Sequence, residues 1–177
     1  MSQFGGGGHR RSASGQGNRG HGGRGGGGQQ GGNPHHASND PVARHWPGYL
    51  EGGYFDAEGC LKVEYVSRDK VEPLAQEMAR LTTHQIRRYF GHCRAIETRL
   101  KSGGVKWAEV WSQVKKLDVA AADGAAKQPP KIPALFHDFI RRNVAAIKCE
   151  KDFLRGFLPH FEALVGFGQA HFKKERT

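Results

Sequence analysis

Thr83–Ser102 reads THQIRRYFGHCRAIETRLKS, and Ala134–Lys148 reads ALFHDFIRRNVAAIK. In the first stretch Ile86, Tyr89, Phe90, Cys93, Ile96 and Leu100 recur with the 3.6-residue period of an amphipathic helix. In the second, Leu135, Phe136, Phe139, Ile140, Val144 and Ile147 form the apolar face. Basic residues flank both stripes. Arg87, Arg94 and Lys101 recur every seven residues along one shoulder of the first, with Arg88 beside them. Arg141 and Lys148 repeat that spacing on the second, with Arg142 adjacent and His137 one turn earlier. Cations two helical turns, or about 10 Å, apart can lie along a phosphate backbone.

The remaining chain fits helices around one core. Ser67 or Asp69 can cap a helix to about Leu81, with Val71, Leu74, Ala75 and Met78 inward and Pro73 in its first turn. Thr82 or Thr83 can cap the next, which Ser102-Gly103-Gly104 ends. Val105–Leu117 follows, with Trp107, Val110, Trp111 and Val114 on one side. Small residues and prolines predict a linker over Asp118–Lys131, and Pro133 opens the Ala134 helix. A last helix starts at Glu150 or Asp152 and runs through Phe153, Phe157, Phe161 and Leu164, with Gly156 and Pro159 as kink points. The predicted fold class is all-α, a single compact bundle of about five helices behind a disordered Gly-rich tail.

Domain limits follow composition. Residues 1–45 are assigned to the tail, whose first forty residues are dominated by Gly, Arg, His, Gln, Asn and Ser, with Phe4 as the sole large apolar side chain. Such a stretch buries too little surface to offset its ordering entropy. Its arginines, with one RGG-like step at Arg24-Gly25-Gly26, fit loose RNA contact as well as a plain spacer. Gly20, Gly22 and Gly25 match GxGxxG without a strand before or a helix after, so no dinucleotide site is read there. Residues 46–177 form the helical domain, in which 46–66 is an irregular connector rich in aromatics; Asp56–Gly59 is a turn and a short hairpin is an option.

The 177 residues carry a formal charge of +10, which favours a polyanionic partner, most often nucleic acid. Cys60, Cys93 and Cys149 form no Cys-x-x-Cys unit, so neither a disulfide framework nor a zinc knuckle is predicted. No stretch is apolar and long enough for a membrane helix, and the N-terminus lacks a signal-peptide core. The expectation is a cytoplasmic protein.

Catalytic groupings are not evident. His84, His92, His137 and His160 have no companion motif, and Glu97, Glu109, Asp118, Asp138, Glu150 and Asp152 are scattered among bases rather than clustered for a metal. The prediction is a nonenzymatic protein without cofactor or metal. Asn143 stands out inside an apolar face. It calls for a core hydrogen bond to a loop or helix end, or a polar contact across a subunit interface.

Leu81-Thr82-Thr83-His84-Gln85-Ile86-Arg87-Arg88-Tyr89-Phe90 resembles the LTTxQIRxFF-type helix opening of the small subunit of type III-A CRISPR effector (Csm) complexes. Phe139–Val144 (FIRRNV) and Asp152–Val165 (DFLRGFLPHFEALV) resemble that family's second half, and Tyr54-Phe55-Asp56 with Glu58-Gly59 and Leu61 resembles its lead-in. The resemblance runs from Tyr54 to Phe172 in the family's order, and the Gly-rich tail departs from it.

The resemblance implies a small all-α subunit with no catalytic centre. Several self-associating copies would sit beside the backbone subunits and contact the guide RNA–target RNA duplex through basic side chains, with cleavage left to another subunit. Arg87 is the clearest carry-over, and Arg141 and Arg142 lie in the matched block. Arg94, Lys101 and Lys148 rest on spacing alone. Two other readings stay open: a helix-turn-helix DNA binder using Thr83–Leu117, and a protein-interaction scaffold whose charge is incidental.

Overall fold

A computed structural model describes residues 40–174. Among these, six α-helices surround one core: α1 Pro41–His45, α2 Arg68–Glu77, α3 Thr83–Lys101, α4 Trp107–Ala126, α5 Ala134–Ala146 and α6 Leu158–Gly168. The only β structure among the described residues is two isolated bridges, Phe55 with Leu61 and Thr82 with Lys173. The all-α bundle is as expected. The tail over residues 1–39 lies outside the described residues.

α3 begins at Thr82 because its threonine-glutamine pair closes a capping box. Gln85 N–H donates to Thr82 Oγ1 at 3.1 Å, and Thr82 N–H donates to Gln85 Oε1 at 2.9 Å. Gln85 Nε2 also donates to the Lys131 carbonyl at 2.8 Å, which ties α3 to the chain before α5. Ile86, Cys93, Ile96 and Leu100 then point inward. Gly103 leaves the helix at φ +71°, a conformation glycine adopts without strain.

Two expected boundaries change. Asp118–Ala126 is not a linker but the second half of α4. Alanine is the best helix former, and here Ala121 and Gly124 are buried. The helix stops ahead of Pro129-Pro130, and Ile132 folds back onto Gly124, where an added Cβ would stand 3.2 Å from Ile132 Cγ1. Pro41–His45, assigned above to the tail, is a helical turn of the fold. Asp40 caps it through a 3.3 Å bond from Ala43 N–H, and Val42 is fully buried. The helical domain therefore takes in Pro41–His45 as well. In α2, Pro73 lies inside the helix rather than in its first turn.

α5 packs most extensively on α4, and α2 on α6; α3 touches both α4 and α6. Phe136, Phe139, Phe153, Phe157 and Phe161 are fully buried. Each contributes on the order of 3 kcal/mol of apolar burial. Phe157 and Phe161 stack at 5.4 Å. Between α5 and α6, Asp152–Phe157 forms a π-helical turn. There Gly156 lies against Tyr54, and a Cβ would come within 2.6 Å of Tyr54 Cγ, so the connector crosses the helix only because a glycine is present.

The connector docks through Trp46, Tyr49, Tyr54 and Tyr65, all buried. Asn143 organises their polar atoms. Its amide donates to Tyr49 Oη at 2.6 Å and to the Phe139 carbonyl at 2.8 Å, and its oxygen accepts from Tyr54 Oη at 2.8 Å. Tyr49 Oη lies 2.8 Å from His160 Nε2, and His160 Nδ1 lies 2.6 Å from the Tyr65 carbonyl. A proton on Nδ1 satisfies the whole chain, with Tyr49 donating to Nε2. Of the two readings offered for Asn143, the core bond to a loop is the one observed. Burial pushes the His160 pKa down to about 4, so the ring is neutral.

Candidate nucleic-acid interface

The seven basic residues singled out in the sequence fall into different environments. Arg94 and Lys101 both bind Glu97, at 2.7 and 2.6 Å, and the Glu97 side chain is only 8% exposed. One turn on each side of a buried carboxylate accounts for their spacing. Two of the three cations in that row are thereby partly neutralised.

Arg141 pairs with Asp138. Arg142 pairs with Asp40, and its Nε lies 3.4 Å from Asp138 Oδ2. Asp138 is buried and also accepts from Val42 N–H at 3.1 Å. Arg142 is therefore a strut between α5 and α1. Its side chain is 23% exposed, and desolvation lowers its pKa. Lys148 stays at the surface and donates from Nζ to the Ala145 carbonyl at 2.6 Å, at the C-terminal end of α5.

Arg87 and Arg88 differ from the rest. Both are exposed, and neither forms an ion pair among the described residues. Among the described residues Arg87 makes one polar contact, a 3.5 Å bond to Gln169 Oε1. Arg87 shares a shallow depression of about 330 Å³ with Thr83, His84 and Lys174. Arg88 faces a groove of about 540 Å³ between α3 and α4. His84 lines both, so the two recesses flank the first turn of α3.

The groove brings in cations that the sequence reading did not select: Lys116, Lys127 and Lys131. Lys127 is held by Asp123 at 2.7 Å, whereas Lys116 and Lys131 form no ion pair among the described residues. Leu117, Ala120 and Ile132 form an apolar lining beside Tyr89, and His92 is held by a 2.9 Å contact between Nε2 and the Gln113 carbonyl. Lys116, Ala120, Asp123 and Lys127 follow a helical period, but that signal disappears when the helix is ended at Leu117.

Among the described histidines, His84 and His92 line the same groove and the others lie apart. His160 is buried in the core network, His92 is on the groove wall, and His137 Nε2 stands 3.6 Å from Asp118 Oδ1. Among the described residues no group of three or more His, Cys, Asp or Glu could hold a metal ion. No described helix is long and apolar enough to cross a membrane.

No curated protein and no solved structure matches the chain. The profile of the family described as Csm2 Type III-A matches residues 66–174, which takes in all of α2 to α6; the Tyr54–Leu61 lead-in lies ahead of it. The chain thus belongs to the Csm2 Type III-A family and is a small subunit of the type III-A CRISPR complex, associating with its other subunits.

Proposed function

We propose that this subunit contacts the phosphodiester backbone of the guide–target RNA duplex, in several copies beside the backbone subunits, and performs no catalysis itself. The observation that carries the reading is the pair Arg87 and Arg88, exposed at the start of α3 without carboxylate partners among the described residues. A guanidinium binds phosphate bidentately and without regard to sequence. A subunit serving any guide must avoid base readout, because base pairing already carries the sequence. The +10 charge adds long-range attraction. Arg94, Lys101, Arg141 and Lys148 are secondary contacts, since each already has a partner in the protein. Arg142 supports the fold beneath them. Self-association and a cytoplasmic location complete the reading.

The test is duplex RNA binding by Arg87→Ala/Arg88→Ala across a salt series. Each lost phosphate contact lowers the log–log salt slope by about 0.9, so the double variant should be shallower by about 2. An unchanged slope would remove the assignment.

A further inference from the structure

We infer that the α3/α4 groove is a binding site for one unpaired nucleotide of a single-stranded RNA segment, adjoining the surface that meets the duplex, with Arg88 on the border between the two. The inference deepens the RNA-contact reading and rests on it. Rim and interior have different chemistry. Arg88, Lys116 and Lys131 supply positive charge at the rim with no ion pair among the described residues, and Lys127 adds a cation already held by Asp123. Those four cations against the one carboxylate of Asp123 leave a net charge of +3 around a space of about 540 Å³.

The lining below the rim is Leu117, Ala120, Gly124 and Ile132, with the half-buried Tyr89 ring at one side. The small side chain of the exposed Ala120 leaves the mouth of the groove unobstructed, while Ile132 packs onto Gly124 to form its floor. A duplex keeps its bases stacked inside and offers only its backbone, so it could use the rim alone. An unpaired nucleotide offers a phosphate for the rim and apolar ribose and base faces for the interior. Charge complementarity together with this apolar lining favours that occupant over a duplex or an acidic peptide.

The experiment measures binding of the full-length protein to a short oligouridylate and to an RNA duplex of equal length, over a salt series. Lys116→Ala/Lys131→Ala should weaken oligouridylate binding on the order of tenfold and reduce its salt slope by about 1.4, the value for two single-strand phosphate contacts. Ala120→Leu keeps every cation but fills the groove from an exposed helix position, so it should keep the fold. It should weaken oligouridylate binding about as much while duplex affinity stays within about twofold.

Wild-type protein that ignores oligouridylate, or an Ala120→Leu variant that binds it normally, would overturn the inference. Equal loss for both RNAs would overturn it too, since the rim would then serve the duplex. Arg87→Ala separates the two claims. If it weakens duplex binding while the groove variants leave oligouridylate untouched, the groove fails and the duplex reading stands. If it leaves duplex binding intact while the groove variants act, the groove stands and the duplex reading fails.

Discussion

Asn143 on α5 donates a 2.6 Å hydrogen bond to the hydroxyl of Tyr49, a residue of the connector that enters the bundle between α1 and α2. Through this contact a polar side chain inside an apolar face specifies where the connector lies. Tyr54 binds the same amide, so the two tyrosines read one residue.

Asn143→Leu keeps the approximate volume but removes both partners. It should cost about 2–4 kcal/mol, because Tyr54 Oη loses the side-chain oxygen it donates to and Tyr49 Oη loses the donor it accepts from, keeping only its bond to His160. Urea unfolding checks this; a loss under about 0.5 kcal/mol would mean that the network contributes no net stability.

Arg142→Ala should destabilise by about 3 kcal/mol, since Asp138 would stay buried with one cation fewer and α1 would lose its strut to Asp40. The specific sign is faster amide exchange at Val42, whose N–H is bonded to Asp138. Arg87→Ala, on an exposed and unpaired residue, should leave unfolding within about 0.5 kcal/mol of wild type.

Acid should act through His160. Its pKa of about 4 in the folded protein lies below the ordinary value near 6.5, so the unfolded chain binds the proton more readily. The contribution of the neutral ring is complete above about pH 6.5, declines as pH falls through the interval, and is fully lost below about pH 4. Its size is on the order of 3 kcal/mol. Nuclear magnetic resonance of the ring checks the cause: the imidazole should remain neutral at pH 5, and a midpoint near 6.5 would contradict it.

Glu97 restrains two cations of the predicted row. Glu97→Gln should release Arg94 and Lys101 toward RNA and steepen the salt slope of duplex binding by about 1, at some cost in stability from the half-satisfied amide. A shallower slope would show instead that the carboxylate orients the pair for binding.

Much of the framework was legible from residue order. The period of Ile86, Cys93, Ile96 and Leu100 and a threonine cap at Thr82 or Thr83 locate α3, with the choice of Thr82 made by its box with Gln85, and Asn143 was conspicuous as a polar residue amid Phe139, Ile140 and Val144. The second half of α4 was not, because a run of Ala, Asp and Gly has a weak apolar period and is helical here through packing of Ala121 and Gly124. That misreading hid the groove, whose far wall is α4. Gly156 and Pro159 were legible only as kink points; neither the π-helical form of the turn nor the packing of Tyr54 on Gly156 was. The pairing of Arg94 and Lys101 with Glu97 was available at i+3 and i+4 spacing, and it changes what the seven-residue repeat means.

The central claim is that this subunit touches RNA within the assembled complex through the unpaired cations of α3. The direct measurement is recovery of the tagged protein from its own cells after crosslinking, with sequencing of the RNA attached to it, for wild type and for Arg87→Ala/Arg88→Ala. The account predicts guide and target RNA on the wild-type subunit and a several-fold drop on the variant, with the partner subunits still recovered. Equal RNA on both, or partner subunits with no RNA crosslinked to this chain, would contradict it.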